Sequence, residues 1–409
     1  HWNQLPAVVS VPEPPRRIAS TPSVTFDLIS HSPVSRIDRR AARQAVVFAF
    51  ATGSPVLDPV LSAARHVESD FDPTGFSRAL FLSELCATGL RIEIAGERYE
   101  PHAPHLRALV EHPPRALLDV LFRRGVLGEL ARSPELRRDF EQTYVELREL
   151  FEELETSVAG SFLEHHHHRV RILASLRRLI EGLSCRFAGA QSGLTRLREL
   201  GRELADEKRF APLRQLLDYE DALATVDVRI RVGVDGEVRG FSLSRIDEPS
   251  NNPFHRTLLA RLWSRFSLWV RGYRFGEVNV MSRLLDELFT PYEESVAQLV
   301  QIVGEMELYL GMLGLRDSAE ERGLAMCLPE LFSPTTRAPQ GPRSLHKLYN
   351  PLLFRQRTRP LPSTLTSERA DALVLFTGPN SGGKTRLLQA IGIAQLLGQG
   401  GLFVPAEEA

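Results

Sequence analysis

The chain has 409 residues, enough for two or three domains, and its 50 Lys+Arg against 51 Asp+Glu leave a net charge of −1. That balance excludes a strongly basic whole-chain nucleic-acid binder, and 43% hydrophobic with 25% charged residues excludes wholesale disorder. No run of 18 apolar residues occurs and no leader precedes His1-Trp2-Asn3, so neither a membrane span nor a signal peptide is expected.

Cys86, Cys185 and Cys327 are far apart and form no CxxC pair, which fits inert thiols in a reducing cytoplasm. Of the 50 basic residues only Lys208, Lys347 and Lys384 are lysines, a bias typical of GC-rich coding. A lysine inside a motif therefore stands out.

Residues 1–35 are proline-rich (Pro6, Pro12, Pro14, Pro15, Pro22, Pro33) and read as an extended arm. Residues 36–115 read as mostly helical, with a short hairpin around Arg91–Tyr99. Ser133-Pro134-Glu135 then has the cap, first-turn proline and acid of a helix start. Leu136, Phe140, Tyr144, Leu147, Phe151 and Leu154 step by three or four behind it, the stripe of a long amphipathic helix. More helix is expected over Arg169–Cys185 and Leu194–Leu217. His165-His166-His167-His168 just before reads as a solvated or adventitiously metal-binding face, because no Cys or carboxylate set converges on it in sequence.

The period changes at Val226, where Val228, Ile230, Val232 and Val234 alternate with polar residues or glycine. Asp235-Gly236 is a hairpin turn, so a β-hairpin over 226–244 interrupts the helical region of 116–332. Helical spacing resumes at Leu259, Leu262, Phe266, Trp269 and Tyr273, and another helix is expected over about Met281–Leu313. Within 251–275, Arg256, Arg261, Arg265, Arg271 and Arg274 occur without an acid, among six aromatics. The aromatic stripe reads as core, and the arginines form the best local candidate for DNA phosphate contact. A Pro/Thr/Gly-rich linker at 333–344 separates this region from 345–409, which has strand–loop–helix order.

The apolar run Asp371–Thr377 reads as a buried parallel strand. It leads into Gly378-Pro379-Asn380-Ser381-Gly382-Gly383-Lys384-Thr385 and a helical Leu387-Leu388-Gln389-Ala390-Ile391, the G-x-x-x-x-G-K-[ST] pattern in its required setting. Glycines there let backbone N–H groups converge on a phosphate at a helix N-terminus. Lys384 would reach the β/γ oxygens of ATP, and Thr385 would place its hydroxyl on Mg²⁺. Only 24 residues follow Thr385, and no apolar strand ending in Asp-Glu is among them, so the ATPase domain is expected to be incomplete in this chain.

Asn350-Pro351-Leu352-Leu353, Thr377-Gly378-Pro379-Asn380-Ser381-Gly382-Gly383-Lys384-Thr385 and Gly401-Leu402-Phe403-Val404-Pro405-Ala406 together resemble the start of the ATPase domain of the MutS mismatch-repair family. Residues 116–332 resemble that family's helical core less distinctly. The resemblance implies a mainly α fold, a helical core and lever carrying a β-hairpin, followed by the N-terminal part of an α/β, ABC-like P-loop ATPase domain. It implies ATP and Mg²⁺ as cofactors, duplex DNA (mismatched or branched) as partner, and a homodimer or related subunit completing the ATP site. Two positions differ from the family pattern. Arg386 stands where Thr is expected, and Leu361 where an adenine-stacking aromatic is. Phe151-Glu152-Glu153 and Phe162-Leu163-Glu164 carry the letters of the family's mismatch wedge but lie in helical, acidic sequence, so no wedge is assigned. A helical scaffold with a vestigial nucleotide site, or another ABC-like DNA-repair ATPase, are the competing readings. No HExxH or GxSxG supports a hydrolase or metalloenzyme.

Overall fold

The computed structural model describes residues 25–158, 162–221, 225–232, 238–247, 285–330, 343–355, 359–368, 373–379 and 382–409. Its helices are α1 (Arg39–Thr52), α2 (Leu57–Ser62), α3 (Leu82–Glu84), α4 (Ala103–Glu111), α5 (Leu117–Arg132), α6 (Pro134–Glu155), α7 (Phe162–Cys185), α8 (Thr195–Leu204), α9 (Glu207–Asp221), α10 (Glu293–Glu320) and α11 (Lys384–Gln399). Three antiparallel strand pairs accompany them: β1 (Ile92–Ile94) with β2 (Glu97–Tyr99), β3 (Thr225–Val232) with β4 (Val238–Asp247), and β5 (Arg343–Leu348) with β6 (Ser363–Ser367). The described chain is thus mainly helical.

Helix α10 is the axis of the body. It touches α1, α2, α4, α5, α6 and the β1–β2 hairpin, and nearly every residue from Val296 to Leu315 is buried. A helix that is apolar all round must be surrounded. The stretch Leu285–Glu320 is long and apolar enough to cross a membrane, but it is buried along its whole apolar window, as the central helix of a bundle is. The expected helix is interrupted: 285–289 are helical, and Pro291 then sits in a 3₁₀ turn, Thr290–Tyr292, ahead of α10, because proline cannot donate into a regular helix.

Helix α6 forms where its stripe placed it. Ser133 Oγ accepts from the Leu136 N–H at 3.3 Å, and Leu136, Phe140, Tyr144, Leu147, Phe151 and Leu154 are all buried. Phe151 is core, in keeping with withholding a wedge role from it. The helix expected over 194–217 is two helices, broken at Ala205-Asp206, where the Asp206 carboxylate accepts from the Lys208 N–H at 3.0 Å. An aspartate offering its own acceptor at a helix start competes with continuation of the preceding helix. Both expected hairpins form, β1–β2 and β3–β4, the second with two bulges. Its Asp235-Gly236 turn lies outside the described residues.

Of the arm expected over 1–35, residues 26–30 are buried in the body and 31–34 are exposed on its surface. Asp27 accepts from the N–H groups of Ile29, Ser30 and Val34 and from Arg36. Arg36 also reaches Glu305 at 2.6 Å, with both side chains buried. Tyr309 donates to the Leu28 carbonyl at 2.5 Å, and Arg196 to those of Asp27 and Ser30. This strap threads against α10 with its backbone polar groups satisfied by side chains, which is what burying irregular chain requires.

One expectation is corrected. Leu373, Val374 and Leu375 form no regular structure, are 97%, 55% and 82% exposed, and pair with no strand among the described residues. An apolar run becomes a buried strand only if neighbouring strands flank it, and β5 and β6 pair with each other instead. The histidine run also differs from a solvated face. His166 and His168 are buried in α7, with His168 Nδ1 3.6 Å from Glu153, and no metal-ligand cluster occurs among the described residues.

Candidate functional site: the phosphate loop and its seat

Gly383 closes the loop as the N-cap of α11, with φ +76°, a left-handed conformation that glycine adopts without a Cβ penalty. The Gly382 N–H donates back to the Pro379 carbonyl at 3.0 Å, folding the loop over the helix start. Lys384 Nζ donates to the carbonyls of Gly378 and Pro379, both at 2.6 Å. The ammonium is therefore held over the loop mouth, directly above the first turn of a 16-residue helix. Open space surrounds the positions a Cβ would take at Gly378 and Gly383. These features fit a nucleotide phosphate: a positive helix end, an unobstructed glycine backbone and a cation on weakly competing carbonyls. Thr385 is exposed at the helix start, where its hydroxyl can meet a phosphate-bound cation. Asn380 and Ser381 lie outside the described residues. So do Arg256, Arg261, Arg265, Arg271 and Arg274.

The loop's helix is seated on the helical body at several points. Asn350, itself buried, donates from Nδ2 to the Arg386 carbonyl at 2.9 Å and accepts from the Leu352 N–H at 3.0 Å. One amide therefore ties the Asn-Pro-Leu-Leu turn to the first turn of α11. Gln389 donates to the Ala79 carbonyl at 3.1 Å, the Arg386 guanidinium lies 5.8 Å from the Phe81 ring centre, and Gly392 admits the Leu80 side chain. At the far end, Gly401 stands against the Val120 carbonyl and the Arg123 side chain of α5. Beyond it Val404 and Cys327 exchange backbone hydrogen bonds of 2.8 and 3.2 Å, and the Tyr349 N–H donates to Pro405 at 3.1 Å. Phe403, Val404 and Ala406 are buried.

Sequence reasoning missed Gln389, Arg123 and the 79–81 loop as parts of this seat. Gln389 and Ala79 are 310 positions apart, so no local pattern marks them. The Gly400-Gly401 pair was the available signal, since two glycines after a helix announce close backbone approach.

No family profile matches the chain. Its relatives among known proteins carry the name Endonuclease MutS2. The one from Enterococcus faecalis is 28% identical over 152 residues, 34% of this chain and 16% of the relative. The one from Thermus thermophilus is 26% identical over 219 residues, covering 52% and 27%. That from Thermomicrobium roseum is 32% identical over 138 residues, covering 32% and 16%. The match spans from about a sixth to about a quarter of these relatives' length, and it supports a relation to the MutS family.

Proposed function

We propose that this chain is part of a MutS-like, DNA-binding ATPase of DNA repair, in which nucleotide held at Gly378–Thr385 alters the helical body's grip on duplex DNA. The observation that carries the reading is the seat of α11. Asn350, Ala79–Phe81 and Gly401 contact α11 along its length, so a change at the loop mouth would be delivered to α5 and the body. The distant relatives named MutS2 support the DNA-repair assignment.

On binding, Lys384 would leave the Gly378 and Pro379 carbonyls for phosphate oxygens, exchanging neutral acceptors for charged ones. The first-turn N–H groups of α11 would face the same oxygens. The Thr385 hydroxyl would contact Mg²⁺, whose charge offsets that of the phosphates. Pro379, Asn380, Ser381 and Gly382 complete the loop. A second subunit would close the site, the body would take mismatched or branched duplex, and the protein would work in the cytoplasm, where three free thiols are at home. The acid-free segment carrying Arg256, Arg261, Arg265, Arg271 and Arg274 would supply phosphate contacts.

The exposed Leu373–Leu375 run favours one alternative, a helical scaffold whose nucleotide site no longer turns over. One experiment separates the two: measure ATP binding with Mg²⁺, then duplex affinity with and without saturating ATP. Nucleotide binding with a shift in DNA affinity supports the proposal. Binding of neither, or an unchanged DNA affinity, leaves the scaffold.

A further inference from the structure

On the side of the body formed by the end of α10, a hollow of about 40 Å³ opens between three chain segments. Arg91, Arg322 and Arg355 line it together with Thr88, Ser318 and the Phe354 ring, and no carboxylate is in the lining. We propose that this hollow is a second oxyanion site, taking a phosphate group independently of the glycine loop.

The arginines are held there by packing. Gly311 and Gly314 let the Leu90–Arg91 backbone lie directly on α10; a Cβ at Gly314 would fall inside the Arg91 carbonyl. That contact brings Arg91 to the end of α10, and Arg322 lies in the turn just beyond it. Arg322 is oriented twice, by donation to the Ser318 carbonyl at 2.6 Å and by stacking 4.9 Å from the Phe354 ring centre. Arg355 enters from the 3₁₀ turn Pro351–Arg355 and is anchored to Glu84 at 3.0 Å.

The charge around the hollow is unbalanced. Arg91 has no ion pair among the described residues, and Arg322 has only its sequence neighbour Glu321 at a distant 3.9 Å. Glu84 neutralises Arg355 alone. Guanidinium groups converging without a carboxylate repel one another and match the planar, bidentate geometry of phosphate oxygens. Size selects within anions. A water needs roughly 10–15 Å³, so about 40 Å³ leaves room for a small tetrahedral oxyanion. The phosphate could belong to a DNA backbone or to a free phosphate compound; the chemistry is shared.

The test uses the full chain carrying Lys384→Ala, which disables the glycine loop, titrated with inorganic phosphate at constant ionic strength while the melting temperature is followed. Saturable stabilisation should persist in this background. Adding Arg91→Ala should weaken the apparent phosphate affinity about tenfold, and Arg91→Ala with Arg322→Ala should abolish it. Should loss of the Arg322 stack unfold the protein, exposed and unpaired Arg91 decides alone. A phosphate response already gone in Lys384→Ala, or unchanged by Arg91→Ala, overturns the site. A short duplex then identifies the source. A backbone phosphate predicts that Arg91→Ala lowers the slope of log affinity against log salt by about one. A free phosphate compound predicts an unchanged slope with the phosphate response still lost.

Discussion

The Asn350 side-chain amide donates to the backbone carbonyl of Arg386 at 2.9 Å, joining the turn that precedes β6 to the first turn of the phosphate-loop helix. Both polar ends of the amide are used, since its oxygen accepts from Leu352. Asn350→Ala should cost about 1 kcal/mol by leaving the half-buried Leu352 N–H and the Arg386 carbonyl without their partner. Asn350→Asp should cost at least as much, because an acceptor would then face the Arg386 carbonyl. Urea denaturation measures both, and an Asp variant as stable as wild type would remove the tether from the account.

In the proposed reading Lys384 serves ligand binding and contributes little to the fold. Its two bonds are to loop carbonyls at a solvent-facing mouth, so Lys384→Ala should change stability by no more than about 0.5 kcal/mol. ATP affinity should fall about 10–100-fold, the worth of a charged hydrogen bond to phosphate. Calorimetric titration beside a melting curve separates the effects, and equal ATP affinity in the variant would exclude the loop as the nucleotide site.

Arg36 sits between Asp27 and Glu305 at 2.8 and 2.6 Å, with all three side chains buried. Burial, and then the Asp27 charge, push the Glu305 carboxyl up to about 8, and Arg36 opposes both. Arg36→Met removes the only cation of the set and should destabilise by about 3–5 kcal/mol. The strap should also loosen, exposing residues 25–37 to limited proteolysis. A Met variant with wild-type cleavage kinetics would contradict the strap's dependence on this charge.

His105 predicts an acid-side loss of stability. Burial lowers its pKa from 6.5 to about 4, and its Nε2 has no hydrogen-bond partner among the described residues. A base whose folded pKa is depressed binds protons more readily when unfolded. Its contribution is thus complete above about 6.5 and is lost as pH falls toward 4, by about 3 kcal/mol in all. His105→Gln should flatten stability against pH in that window relative to wild type. Parallel profiles would show that His105 takes up its proton equally in both states, so that burial does not depress it.

How far the sequence disclosed the fold depended on how local the deciding physics was. The α6 stripe, its Ser133 cap and the β3–β4 strand pair rest on contacts between near neighbours, and each formed. Gly383 at the helix start was legible for the same reason. Leu373–Leu375 was misread because an apolar run specifies only the need for burial; flanking strands decide whether it is met. The strap was invisible: Leu28 is bonded to Glu305, 277 positions away, and proline content near it pointed toward a free arm. The Arg91–Arg322–Arg355 hollow escaped likewise, since three arginines from three segments have no spacing to detect.

Arg123 gives one of these distant contacts a wider meaning. It is completely buried; its Nε holds the Ile29 carbonyl of the strap, and the Gly401 turn after α11 rests on its side chain. Residues 27–31 and 400–406 therefore share one rigid neighbour, and order in either is linked to order in the other. Anything that tightens the phosphate-loop helix should slow amide hydrogen exchange in the strap, more than 350 residues away along the chain but one side chain away in space.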